Sequence, residues 1–272
     1  MSGFSKRLAF IGGGNMAEAI LAGLVRTQAL GPTEIVVSEP RPERRQELSE
    51  VYKIETVESN SEAIQLAPTL VLAIKPFKLA EAKEELRAAL TPNHLVISIL
   101  AGASREKLGK ALGDKERIVR VMPNLPALVG QGVSAITFPD ELGENEREWV
   151  RTILRSVGAV VEVAEPLQDA VTAVSGSGPG YVFYLVHHFI EAAKAEGLES
   201  DIARQLAIHT FVGAAEVLKQ GADSPETLVK KVATPGGTTE AGLSVLDKNE
   251  TPQILRNVVH QAAERSRELN RG

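Results

Sequence analysis

Four apolar residues, Leu8 to Ile11, run straight into Gly12, Gly13 and Gly14. Apolar positions at Met16, Ala19, Ile20, Gly23 and Leu24 then recur with helical spacing. A buried strand that stops on glycines and hands over to a helix leaves few folds open. The segment Gly12-Gly13-Gly14-Asn15-Met16-Ala17 matches G-x-G-x-x-A. In this pattern Gly12 permits the tight turn out of the strand, Gly14 lets backbone approach a pyrophosphate, and Ala17 lets the helix pack closely on the strand. The helix start offers unpaired N–H groups and a partial positive charge to phosphates. A merely structural glycine turn is the alternative, but a strand before and a helix after are the context in which the pattern binds dinucleotides.

The same alternation continues. Residues 34–38, 69–74, 94–100 and 117–122 read as strands, with helices at 42–52, 77–90 and 104–112 between them. Strands that are apolar throughout are covered on both faces, and helical crossovers make their pairing parallel. The expected architecture is a Rossmann-type doubly wound α/β sheet, mostly parallel. Residues 132–138 and 159–163 read as late strands flanking a helix at 143–156. Beyond about Glu165 no strand is legible. Helices are expected at 179–196 and 201–219, and at two starts where Ser224 and Thr251 precede proline as N-cap hydroxyls. Residues 1–165 are thus expected to bind a dinucleotide and 166–272 to form an all-helical domain. The stretch from Tyr181 to Val186 is too apolar for a surface helix and suggests a subunit interface.

Composition narrows the partners. The 272 residues carry a net charge of −5, so no cationic surplus exists to hold a nucleic-acid backbone. Cysteine is absent, which removes disulfides, thiolate nucleophiles and thiolate metal sites and fits a reducing cytoplasm. No apolar run approaches the roughly 18–20 residues that cross a bilayer. Lys6 and Arg7 precede an apolar stretch, but Gly12, Gly13, Gly14, Asn15 and Glu18 interrupt it, so mature structure is expected rather than a signal peptide. None of the five histidines (His94, His187, His188, His209, His260) pairs at the i, i+4 spacing of a helical metal site, so no metal is expected.

Further segments carry chemistry. At the end of the second strand Glu39 suits a ribose 2′-hydroxyl, whereas Ser38, Arg41, Arg44 and Arg45 suit a 2′-phosphate; both signals coexist, and solvated arginines are a third reading. Ala73-Ile74-Lys75-Pro76 ends a strand where ligand crevices form; Lys75 is either a charge near a cofactor or a surface lysine. Asn60 is an N-cap, a ribose contact, or both. Met122-Pro123-Asn124-Leu125-Pro126 is either a wall beside a nicotinamide or a rigid linker. Ser175-Gly176-Ser177-Gly178-Pro179-Gly180 permits close backbone approach, to a ligand or to another helix. Thr234-Pro235-Gly236-Gly237-Thr238-Thr239 precedes a short helix; a glycine pair with hydroxyls at a helix start favours an anion pocket over a simple cap.

Together these segments resemble pyrroline-5-carboxylate reductases over nearly the whole chain, most specifically in V-S-G-S-G-P-G-Y from Val174 to Tyr181 and in T-P-G-G-T-T at 234–239. The resemblance implies a Rossmann domain followed by a helical domain that dimerises, often into larger rings. It implies NADPH, or sometimes NADH, as hydride donor. It assigns cofactor contacts to Gly12, Gly13, Gly14, Asn15, Met16, Ser38, Asn60, Ala73, Lys75 and Pro76, beside Arg41 from the residue reading. It assigns substrate contacts to Thr234, Gly236, Gly237, Thr238 and Thr239, approached from the partner subunit, with Thr239 meeting the substrate nitrogen. The implied substrate is pyrroline-5-carboxylate and the product proline. Thr234 stands where serine is usual, Val229 where arginine is common and Ala233 where threonine is common. β-Hydroxyacid dehydrogenases share the plan but use a lysine on the first long interdomain helix, and no lysine occurs from Leu167 through Ala193. An alcohol requires proton abstraction and an imine does not, so imine reduction is favoured. A non-catalytic nucleotide sensor would keep the glycines without needing the T-P-G-G-T-T turn.

Overall fold

The computed structural model describes residues 4–113 and 117–271. Eight strands form one sheet: β1 (Leu8–Ile11), β2 (Ile35–Ser38), β3 (Glu55–Val57), β4 (Thr69–Leu72), β5 (Leu95–Ser98), β6 (Ile118–Met122), β7 (Gly132–Thr137) and β8 (Gly158–Glu162). Their order is β3-β2-β1-β4-β5-β6-β7-β8. The first six are parallel; β7 runs antiparallel to β6, and β8 parallel to β7. The mostly parallel, doubly wound sheet is as expected. Strand β3 was not legible, because its three residues pass from exposed to buried and show no apolar run.

Alternation along each strand builds two cores. Leu8 and Phe10 of β1 join Ile20, Leu24, Ile97 and Val121 on one face, whereas Ala9 and Ile11 join Ile64, Leu70, Leu72 and Leu86 on the other. Both faces carry helices: α1 (Asn15–Arg26), α2 (Pro42–Tyr52), α3 (Asn60–Leu66), α4 (Leu79–Ala89), α5 (Arg105–Leu112) and α6 (Glu144–Arg155). Helix α1 packs so closely that a Cβ on Gly23 would lie 2.6 Å from Val157 and 2.7 Å from the Ser156 carbonyl.

After β8 the chain is helical: α7 (Gln168–Val171), one π-helical turn at Thr172–Gly176, α8 (Gly178–Ala195), α9 (Ser200–Gln220), α10 (Pro225–Val232), α11 (Thr238–Lys248) and α12 (Thr251–Arg271). By their internal contacts the compact units divide at Ser177/Gly178, and the first unit takes the chain up again from Ala262. Side chains explain this extension. Gln168 is fully buried and its amide donates to Thr137 at 2.9 Å. Asp169 accepts from Ser266 and Asn270, each at 2.6 Å. Gly176 sits where a Cβ would lie 2.5 Å from the Met122 methyl, so the glycine of that motif serves close packing on the last residue of β6.

The second unit, Gly178–Gln261, has two buried side chains among the described residues, Ala203 and Ala207. Helices α8 and α9 meet through the Phe189 and Phe211 rings, 5.6 Å apart. Yet Val182, Phe183, Tyr184 and Leu185 on α8 remain exposed, as do Leu206 and Val212 on α9. Ser224 caps α10 by accepting from the Thr227 N–H, as its sequence suggests. Thr251 does not cap α12: it is the first helical residue, and its hydroxyl donates to the Leu246 carbonyl at 2.8 Å. No described helix is long and apolar enough to cross a membrane.

Candidate active site

Strand order reverses at β1, so its two neighbours, β2 and β4, leave the sheet in different directions and open a crevice at the carboxyl edge. Ile11 lies in register with Ser38 on one side and Leu72 on the other. The Gly12 N–H donates to the Ser38 carbonyl, and the Ala73 N–H to the Ile11 carbonyl, both at 2.9 Å. Gly12 has φ +100°, and a Cβ there would crowd the Ala73 carbonyl at 3.1 Å. The glycine segment, Ser38 and the Ala73–Pro76 stretch are therefore one continuous edge. Gly14 caps α1 with no side-chain partner, and its missing Cβ would meet nothing within 4 Å. Open space beside the first N–H groups of a helix fits a pyrophosphate.

Asn60 closes this edge. The Ser38 hydroxyl donates to Asn60 Oδ1 at 2.8 Å, and Asn60 Nδ2 donates to Glu85 at 2.8 Å. Asn60 is not the helix cap; Ser59 is, accepting from the Glu62 N–H. Glu85 also accepts from the Ser59 hydroxyl and the Ser61 N–H. Burial pushes the Glu85 carboxyl up, but hydrogen bonds from Ser61, Asn60 and Ser59 outweigh it and hold the group below the ordinary carboxylate range. It stays ionised and fixes which end of the Asn60 amide faces Ser38. Nothing in the sequence singled out Glu85, one of several glutamates on α4.

The segment from β2 into α2 grips Gly13. Its N–H donates to Glu39 Oε2 at 3.2 Å, and its carbonyl accepts from Arg44 Nε at 2.9 Å. Glu39 is nearly buried and also accepts from the Arg41 N–H at 3.1 Å and Arg41 Nε at 2.8 Å. Burial raises its pKa, but the hydrogen bonds from Arg41 and Gly13 prevail and lower it. Arg44 pairs with Glu18 and Glu47, and Arg45 donates to the Glu39 and Pro40 carbonyls and pairs with Glu58. Tyr52 donates to Glu18 at 2.9 Å; burial and that carboxylate push its pKa to about 12. Lys75 is exposed, with its carbonyl accepting from the Lys78 N–H, and Pro76 opens a short 3-10 turn. Asn124 serves its own loop, where Oδ1 accepts from the Val133 N–H at 2.9 Å.

In the second unit, 234–239 is a turn between α10 and α11. Gly236 has φ +71°, and the Gly237 N–H donates to the Thr234 carbonyl at 2.9 Å. A Cβ on Gly237 would strike Thr234 Oγ1 at 2.6 Å, so the glycine pair is a condition of the turn. Gly237 caps α11 without any side-chain partner. The Gly236 N–H is taken by Glu240 Oε2 at 2.8 Å. The donors left for an anion are thus the first N–H groups of the helix, at Thr238 and Thr239. Thr239 is half-buried; Thr238 is exposed. Among the described residues no three His, Cys, Asp or Glu side chains are grouped to hold a metal ion.

Fold and edge define the class: a Rossmann-type oxidoreductase architecture with a helical second domain. Residues 7–102 match the family model for NADP oxidoreductase, coenzyme F420-dependent, and residues 165–269 that for pyrroline-5-carboxylate reductase dimerisation. The chain is 40% identical to the pyrroline-5-carboxylate reductase of Synechocystis sp., over 98% of this chain and 99% of the relative. It is 36% identical to that of Pseudomonas aeruginosa, over 97% and 96%. A solved reductase structure from Coxiella burnetii superposes with TM-score 0.91 at 32% identity, covering 97% and 98% of the two chains. One from Plasmodium falciparum with NADP bound gives 0.87 at 28% identity, covering 98% and 100%. The chain belongs to the pyrroline-5-carboxylate reductase family.

Proposed function

We propose that this protein is an oxidoreductase that reduces 1-pyrroline-5-carboxylate to L-proline, the last step of proline biosynthesis, with NADPH or NADH. The observation that carries this is the joint presence, in a chain 40% identical end to end to a named reductase, of the glycine edge and the T-P-G-G-T-T turn. Residues 1–165 take the dinucleotide. Gly12, Gly13, Gly14, Asn15 and Met16 face the pyrophosphate; Ser38, Arg41 and Asn60 flank the adenosine ribose; Ala73, Lys75 and Pro76 form the opposite lip. Residues 166–272 carry dimerisation and the substrate turn.

Bound NAD(P)H supplies the hydride from nicotinamide C4 to the imine carbon. The protein's part is orientation and charge. The substrate carboxylate rests on the Thr238 and Thr239 N–H groups, where a helix dipole is fixed before the substrate arrives. The Thr239 hydroxyl hydrogen-bonds the ring nitrogen as electron density builds there, and water completes the protonation. An iminium is already electrophilic, so placing it correctly supplies much of the rate. No lysine stands on α8 before Lys194, in keeping with a reaction that needs no proton abstraction from an alcohol.

The exposed apolar faces of α8 and α9 support a homodimer, and a larger ring of dimers is compatible with it. A cytoplasmic setting fits a chain without cysteine. The test is loss of NADPH or NADH absorbance with pyrroline-5-carboxylate, against NAD reduction by a 3-hydroxy acid. Turnover of the imine alone is expected; turnover of the hydroxy acid alone overturns the reading.

A further inference from the structure

Helix α2 turns one stripe toward the glycine edge. Arg44, Leu48 and Tyr52 stand four residues apart and so share a face. Each meets the glycine segment or the first turn of α1. Leu48 is buried, and a Cβ on Gly13 would lie 2.7 Å from its Cδ1. Arg44 Nε donates to the Gly13 carbonyl at 2.9 Å. Its two other nitrogens go to Glu47 on α2, at 2.6 Å, and to Glu18 in the first turn of α1. Tyr52 donates to the second oxygen of Glu18 at 2.9 Å. The Arg44 side chain is only 13% exposed. A cation so covered, with every nitrogen placed, has one seat, and hydride transfer to an imine gives it no task there.

We propose, resting on the dinucleotide reading above, that Arg44 is a positioning residue: it fixes the Gly13–Gly14 peptide so that the Gly14 N–H is presented to the incoming pyrophosphate, and Glu18 and Tyr52 keep Arg44 in place. In a trans peptide the C=O and N–H point to opposite sides, and no peptide among the described residues is cis. With its carbonyl drawn to α2, the peptide turns its N–H away from α2, toward the edge assigned to the pyrophosphate. The preceding peptide is held independently, its N–H by Glu39 at 3.2 Å. Three consecutive glycines are otherwise free to turn the Gly13–Gly14 peptide over. A loop that must be ordered as its ligand arrives gives up part of the binding free energy, and a loop already fixed does not. Arg44 leaves no nitrogen for the phosphates, and its charge is met by two carboxylates. Its effect on the ligand therefore passes through the backbone.

The experiment is calorimetric titration of the full-length protein with ADP-ribose, beside steady-state kcat and KM for NADH and for the imine. Arg44→Met, which keeps an apolar stem over α2, is expected to weaken ADP-ribose at least about tenfold and to raise KM for NADH in step. The turnover number at saturating NADH and KM for the imine should stay within about twofold of wild type, since only dinucleotide binding is touched. Arg44→Lys returns one donor where three stood, so its affinity should fall between the two, about threefold or more below wild type. Adding Glu18→Gln to Arg44→Met should leave binding as weak as in Arg44→Met alone. Wild-type affinity for ADP-ribose in either folded Arg44 variant overturns the proposal. So does recovered affinity in the double variant, which would make Arg44 merely the counter-ion of Glu18. Equal losses in kcat and in imine binding also overturn it, because they would make Arg44 a general support of the fold. These results leave the dinucleotide reading standing. Failure of the wild type to bind ADP-ribose overturns both together.

Discussion

Gly12→Ala and Gly14→Ala, two residues apart, separate a glycine required by the chain from one required by the ligand. At position 12 the backbone φ is +100°, outside what an L side chain adopts without strain, and such strain costs about 1–3 kcal/mol. The new Cβ would also lie 3.1 Å from the Ala73 carbonyl oxygen and 3.2 Å from Ile74 Cγ2, so backbone must give way. About 2–3 kcal/mol is a fair total, and at roughly 2–4 °C per kcal/mol for a chain of this size Tm falls by about 4–12 °C. Position 14 is different. Its φ of −75° suits alanine, and the added methyl meets nothing within 4 Å. Alanine is a poorer helix cap than glycine, by about half a kcal/mol, but it also restricts the unfolded chain by about 0.4–1 kcal/mol. These cancel, and Tm should stay within about 2 °C. The methyl instead occupies the space assigned to the pyrophosphate, so dinucleotide affinity should fall by about tenfold or more. Scanning calorimetry and titration of NADH fluorescence read the two effects separately. Full dinucleotide affinity in Gly14→Ala would refute the assignment of that space, and an unchanged Tm in Gly12→Ala would refute the strain argument.

Thr239→Ala should lower kcat by about 10²-fold if its hydroxyl strengthens a bond as the ring nitrogen gains electrons; unchanged steady-state kinetics would remove it from the mechanism. Glu85 has a folded pKa depressed below 4.5, so its contribution to stability is present above about pH 4.5 and is lost as pH falls through the folded value. Thermal melts should therefore show Glu85→Gln losing less stability than wild type as pH is lowered from neutral through about pH 4 and below, where the wild-type carboxylate protonates; parallel losses would count against the network. The exposed apolar faces of α8 and α9 predict sedimentation at micromolar concentration as a dimer or larger, and a stable monomer there would be contrary.

The strands of the first unit were legible because both faces of the sheet are covered, so each central strand is an uninterrupted apolar run with a turn at its end. Strand β3 escaped because an edge strand of three residues needs no such run. The glycine edge was legible for a related reason: backbone turning and close approach leave glycine few substitutes, and these show in one dimension. Glu85 and the Arg44–Glu18–Tyr52 set were not legible as partners. Their meeting depends on which helix faces cross, and a glutamate on a charged helix looks the same whether it is solvated or ties two elements together. Glu39 was visible as a candidate, but its bonds to Gly13 and Arg41 were not, because they depend on where those side chains point. Sequence lists the cations without saying which are spent.

Helix starts sharpen this distinction. Ser59, Ser104 and Ser224 each accept from an N–H of the first turn, so α3, α5 and α10 are closed by their own side chains. Helices α1 and α11 begin instead on Gly14 and Gly237, neither of which brings an oxygen to compete. A serine cap at either place would occupy the seat of an incoming anion and lower the charge felt there. Both turns thus forgo a stabilising contact worth about 0.5–2 kcal/mol each. Glu240 shows what the vacancy attracts, since its carboxylate has taken the Gly236 N–H beside the start of α11. If that turn receives the substrate carboxylate, Glu240 is its nearest electrostatic opponent. Glu240→Gln, which keeps an acceptor for the Gly236 N–H and removes the charge, should then lower KM for the imine several-fold with little effect on kcat. An unchanged KM would mean that the carboxylate binds elsewhere.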